Sequence, residues 1–148
     1  MSLLRRFPRV RRGKKLFIQA YIVMCLVRLG LLALSFSRLQ NLVLKSKRLT
    51  WLGIAKSEVH VGAIALAVHR SGKYSPGQPM CLAKALTAAV LMNIYGFPYQ
   101  MHIGVAKSPG GKFEAHAWIT WEGKVVVGKL PDLERYQPMA AKGKGLII

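Results

Sequence analysis

Pro79-Met80-Cys81-Leu82-Ala83-Lys84-Ala85-Leu86 opens a helical pattern that runs from Cys81 to Tyr95, and Ala115-His116-Ala117-Trp118 stands in a strand pattern downstream of it. In the first segment Leu82, Ala85, Leu86, Ala89 and Val90 recur at spacings of three and four, which is one face of a helix. Gly96 follows the last turn, where an αL residue caps a helix, and Pro79 stands where a helix start is favoured. Cys81 therefore falls in the first turn. Backbone N–H groups there lack intrahelical partners, and the macrodipole is positive. That environment favours the thiolate, which is the nucleophilic form of cysteine. The same N–H groups can hold an oxyanion on an attacked carbonyl. The plain alternative is a small residue that only packs.

The strand pattern supplies the second group. Tyr99, Met101, Ile103 and Val105 alternate with Gln100, His102, Gly104 and Ala106. Phe113, Ala115, Ala117, Ile119 and Trp121 alternate with Glu114, His116, Trp118 and Thr120. Ser108-Pro109-Gly110-Gly111 reads as the loop joining an antiparallel pair. His116 projects with Trp118, opposite to the apolar set. A thiol at a helix head and an imidazole on a strand 35 residues later are the two parts a cysteine hydrolase needs. A strand histidine alone is more often structural, and it is the pairing with Cys81 that points to catalysis. Beyond Trp121, Glu122-Gly123 marks a tight turn and Lys124 to Gly128 a third strand of a meander. Lys129 to Pro138 then leaves the sheet, and the tail from Met139 carries no motif. Helices followed by an antiparallel sheet give an α+β fold.

The remainder of the chain is basic and apolar. The sequence has 148 residues, 52% of them hydrophobic, with 23 Lys plus Arg against 5 Asp plus Glu and a net charge of +18. Enough apolar side chains are present for one core, and the charge suits an anionic partner. Cys25 and Cys81 make no disulfide framework and no CxxC is present, which fits a reducing cytoplasm. The four histidines lack metal-ligand spacing, so no zinc site and no cofactor is expected. Seven Lys and Arg lie in residues 1–15, and Leu16 to Phe36 is then apolar apart from Gln19 and Arg28. A signal peptide, a membrane span and a helix lying on the protein or on a membrane surface compete for this run. Arg28 breaks the signal pattern, and at a bilayer centre it would cost ~2.5–3.5 kcal/mol. The basic flank suits the surface reading. Ser35 to Thr50 is basic and turn-like in places. It carries no helix-turn-helix or finger pattern, so a solvated face is expected there and nucleic acid is not. Thr50 stands as an N-cap for a helix through Arg70, on which His60 and His69 are ordinary surface residues. Ser71 to Pro79 is a loop by composition, and Gln78 in it is a weak candidate for a hydrogen bond near the thiol.

Cys81-Leu82-Ala83-Lys84-Ala85-Leu86, the hairpin with Ile103-Gly104-Val105, and Ala115-His116-Ala117-Trp118-Ile119 with Glu122-Gly123 resemble the leader peptidases of lasso-peptide biosynthesis. Those enzymes are transglutaminase-like, papain-related cysteine peptidases. The resemblance runs from about Trp51 to Tyr136. It implies a core in which the nucleophile helix packs on an antiparallel sheet, formed by residues 51–148 behind a helical N-terminal region of residues 1–50. It implies a Cys-His-Asp triad in which Cys81 is the nucleophile and His116 the base. The family's acidic or amide residue falls near Val126-Val127-Gly128, where this chain has no carboxylate. Asp132 is the nearest candidate, and Glu114 and Glu122 are poorer ones. The implied function is removal of the leader from a ribosomally made precursor, after which an ATP-dependent macrolactam cyclase joins the freed amine to a side-chain carboxylate. Residues 1–50 do not read as a leader-recognition domain. The split form of the family, which uses a separate leader-binding protein, is therefore expected, and the positive charge suits an acidic partner or leader. Two other classes stay open: a transglutaminase-like acyl transferase, and a non-enzymatic basic module for membrane or nucleic acid.

Overall fold

A computed structural model describes residues 7–48, 59–75 and 81–139. The expected N-cap at Thr50, the helical reading of 50–58, Gln78, Pro79 and the tail beyond Met139 lie outside the described residues. Among the described residues four α-helices come first: α1 (Phe7–Ala33), α2 (Phe36–Lys45), α3 (Val61–Tyr74) and α4 (Cys81–Tyr95). Four strands follow: β1 (Gln100–Lys107), β2 (Phe113–Trp121), β3 (Lys124–Val127) and β4 (Gln137–Pro138). The sheet is antiparallel in the order β3-β2-β1-β4. The fold is α+β, as the patterning indicates.

Helix α4 is the centre of the molecule. The sequence marks one apolar face, but Ala83, Ala88, Leu91 and Met92 are buried as well as Ala85, Leu86 and Ala89. A helix apolar all round needs neighbours on every side. Here α1, α2 and α3 pack against it, and β2 and β3 lie across it. Two polar side chains inside this core are satisfied. Thr87 donates to Ala83 O at 2.7 Å, and Asn93 donates to Val43 O at 2.9 Å, tying α4 to the end of α2. Gly96 ends the helix in the left-handed region (φ +76), with Phe97 N–H on Met92 O and Gly96 N–H on Asn93 O. That is the double bond pattern expected of a glycine cap.

Helix α1 starts inside the basic segment and packs on α3 and α4. Leu16, Ala20, Met24 and Val27 form its buried stripe, and Arg28 donates to Ser75 Oγ at 2.7 Å at the end of α3. One hydrophobic core thus joins α1 and α2 to α3, α4 and the sheet.

Three expectations change. Ser35 to Thr50, read as turn-like in places within a helical region, is mostly helix α2, whose Leu39 and Val43 stand four apart and are buried. The helix expected from Thr50 to Arg70 begins at Val61 in the described residues, behind His60 in extended conformation, and runs on to Tyr74. Ser71 and Gly72 look like loop residues but are buried, and Ser71 Oγ donates to Val68 O at 2.9 Å, so the buried hydroxyl has a partner. The segment after β3 does not leave the sheet for good: Gln137 and Pro138 return beside Val105 and Gly104 as an edge strand, where a proline without an N–H is tolerated.

Candidate active site

Register places His116 opposite Gly104 and Trp118 opposite His102 on one face of the sheet. Met101 and Ile119, and Ile103 and Ala117, pair on the core face. The face assignment of His116 and Trp118 therefore holds, although Phe113 and Ala115 at the start of β2 are exposed. Glu122 (φ +49) and Gly123 (φ +76) form the tight β2–β3 turn, both in the left-handed region, which suits the twist of a two-residue hairpin.

The β3 ladder ends at the pair Ile119–Val127. The residues of β2 before this pair lie beyond the end of β3, and the head of α4 comes close to them: Cys81 Sγ stands 3.9 Å from Ala115 O. Gly128, next after β3, has φ +83, and its carbonyl oxygen lies 2.7 Å from His116 Nε2. A carbonyl only accepts, so Nε2 carries the proton of that bond. In the neutral ring Nδ1 is then the free lone pair, which is the form a general base needs.

Cys81 and His116 line one cavity of about 410 Å³. Helix α3 adds Ala65, Val68 and His69, α4 adds Lys84, and Val126 to Leu130 form the remaining wall. His69, expected as an ordinary surface residue, is exposed yet borders this cavity. Nothing in its spacing signals that, because the placement depends on how α3 crosses α4.

The imidazole is backed by aromatic rings. Trp118 is stacked on His116 (6.1 Å, 15°) and on His102 (5.3 Å, 16°), and Tyr136 tilts against His116 at 5.5 Å. Burial pushes the pKa of His102 down, and its Nε2 meets Thr120 Oγ1 at 2.9 Å. Gly104 makes room for this stack: a Cβ there would sit 2.9 Å from the Trp118 ring.

The acidic candidates Asp132 and Glu114 share Arg135 as a partner. Arg135 donates from Nε to Asp132 Oδ2 at 2.8 Å and from Nη2 to Glu114 Oε2 at 3.1 Å. Glu122 stands in the β2–β3 turn. The contact observed on His116 Nε2 is the Gly128 carbonyl, a group that has no side-chain signature in a sequence. Among the described residues no cluster of three His, Cys, Asp or Glu side chains could hold a metal ion.

A thiol at the head of a buried helix and an imidazole on the adjoining antiparallel strand, sharing one cavity, define a thiol–imidazole site on an α+β scaffold. The chain belongs to the transglutaminase-like superfamily, whose family model matches residues 23–141. Cysteine peptidases and acyl transferases both occur in that superfamily. No curated protein and no solved structure matches the chain.

Proposed function

We propose that this chain is a cysteine peptidase that removes the leader from a ribosomally made lasso-peptide precursor. One observation carries the catalytic part: Cys81 and His116 border the same cavity, with the ring held at Nε2. In this reading the Cys81 sulfur, giving its proton to His116 Nδ1, attacks the scissile carbonyl. N–H groups at the start of α4, which have no intrahelical partners, hold the oxyanion. His116 protonates the leaving amine and then takes a proton from the water that splits the thioester. The precursor, a separate leader-binding protein and a macrolactam cyclase as partners rest on the sequence resemblance, and action in the cytoplasm rests on the cysteine usage. The charge of +18 suits an acidic leader or partner.

The test is incubation of the chain with a precursor and its leader-binding protein, read by mass spectrometry. Hydrolysis yields leader and core whose masses sum to the precursor plus one water. Leader joined through its C-terminal carbonyl to an added amine, with release of the core, identifies acyl transfer instead and overturns the peptidase reading.

The ring orienter proposed is the Gly128 carbonyl, with Asp132 in a supporting role on the loop through Arg135. Asp132→Asn is then expected to lower the cleavage rate less than about threefold, since exposed ion pairs contribute little. A loss of a hundredfold or more, near the ~10⁴-fold cost of removing a true triad acid, would return Asp132 to that role.

A further inference from the structure

Helix α1 has two apolar faces. Leu16, Ala20, Met24 and Val27 are spent on the core. The opposite face carries Ile18, Ile22, Leu26, Leu29 and Leu32, with relative exposures of 55, 53, 61, 63 and 87%. At 100° per residue these five fall within one stripe about 20 Å long, on the side away from the buried set. Lys14 and Lys15 project from the same side one turn ahead of Ile18 and are exposed. Before them the sequence carries Arg5, Arg6, Arg9, Arg11 and Arg12, and no Asp or Glu occurs before Glu58.

Gly13–Ala33 is long and apolar enough to cross a membrane, with mean hydropathy 2.1. Crossing would pull Met24, which is fully buried, away from Thr87 and would break the Arg28–Ser75 bond. It would also bare the apolar flanks of α3 and α4 to water. A helix lying in the plane of the interface keeps those contacts and still buries its outer stripe.

We infer that the outer face of α1 docks this protein on an anionic lipid surface, with Ile18, Ile22, Leu26, Leu29 and Leu32 dipping below the headgroups and the basic N-terminal segment pairing with them. Charge decides the occupant. A large apolar stripe alone fits many partners, but a stripe led by seven cations with no acid in the segment matches a negatively charged leaflet, where each Lys or Arg adds to attraction. The inference is independent of the peptidase reading, and its readout is lipid binding rather than cleavage.

Flotation of the full chain with vesicles tests it. Vesicles of phosphatidylcholine with about 30% phosphatidylglycerol should carry the protein upward, and pure phosphatidylcholine at least tenfold less of it. Ile22→Gln with Leu29→Gln should lower binding to the anionic vesicles tenfold or more. Both positions are exposed, so helix content by circular dichroism should be unchanged. An alkaline carbonate wash should release the wild-type chain. Retention in the washed vesicles would overturn the inference in favour of a span. Failure to float would also overturn it. If that failure came with an oligomer that Ile22→Gln and Leu29→Gln dissolve, the face would belong to a second copy of the chain.

Discussion

Cys81→Ala is expected to abolish leader cleavage, by about a thousandfold or more, with helix content unchanged. The expected size follows from the division of labour in such sites: removing a nucleophile removes the covalent pathway and leaves only binding and the oxyanion donors. Little structural loss should accompany it, because Cys81 is only half-buried and its contact with Ala115 O is long, at 3.9 Å. His116→Ala should cost a similar factor, since a thiol without its base is a poor nucleophile. Alkylation separates the chemistry from folding. Near neutral pH an iodoacetamide reagent should label Cys81 in preference to Cys25, and His116→Ala should slow labelling at Cys81 while leaving Cys25 as it was. Cleavage that survives Cys81→Ala, with the leader-binding protein supplied, would remove the thiol from the mechanism.

The placement of Cys81 at a helix head and of His116 on a strand was legible because both lie in segments whose periodicity is strong. The pattern from Leu82 to Val90 followed by Gly96 fixes a helix and its end, and the alternation from Phe113 to Trp121 fixes which residues face with His116. Glu122-Gly123 likewise reads as the tight turn it is. What escaped depends on packing. Ser71 and Gly72 are poor helix formers in isolation, yet α3 runs through them because their side is covered in the fold and the serine hydroxyl bonds back to Val68 O. Helix α2 is hidden because only Leu39 and Val43 enter the core, and its basic surface dominates its composition. Arg28 looked like a defect in an apolar run until Ser75 was placed beside it. The group that holds His116 was hardest to read. A search for a carboxylate after β3 leads to Asp132, whereas the oxygen facing His116 belongs to the backbone of Gly128, and a main-chain carbonyl leaves no residue type to look for.

Gly128→Ala is the sharpest test of that orienter. The residue has φ +83, a conformation in which a side chain costs about 1–3 kcal/mol. An added Cβ would also meet Ala117 O at 2.6 Å and Trp118 Cβ at 2.9 Å, and neither is the end of a flexible chain. The backbone at 128 must therefore shift, and it carries the carbonyl that holds His116. A displacement of about 1 Å in a catalytic group costs on the order of a hundredfold in rate, so kcat should fall by about that factor alongside the loss of stability. Gly123→Ala is the control. Gly123 has φ +76, so it bears the same kind of backbone cost, but a Cβ there meets nothing within 4 Å and the turn lies at the other end of β3. It should lower the midpoint of urea unfolding and leave the cleavage rate of the folded enzyme within about twofold, because additivity holds between separate sites. If both variants lose stability and keep their rates, the Gly128 carbonyl is only a turn group and the orientation of His116 must come from Trp118 and Tyr136. If Gly128→Ala alone loses rate, the backbone oxygen is doing what a carboxylate does in related triads. The missing acid after Val127 is then a substitution of one acceptor for another.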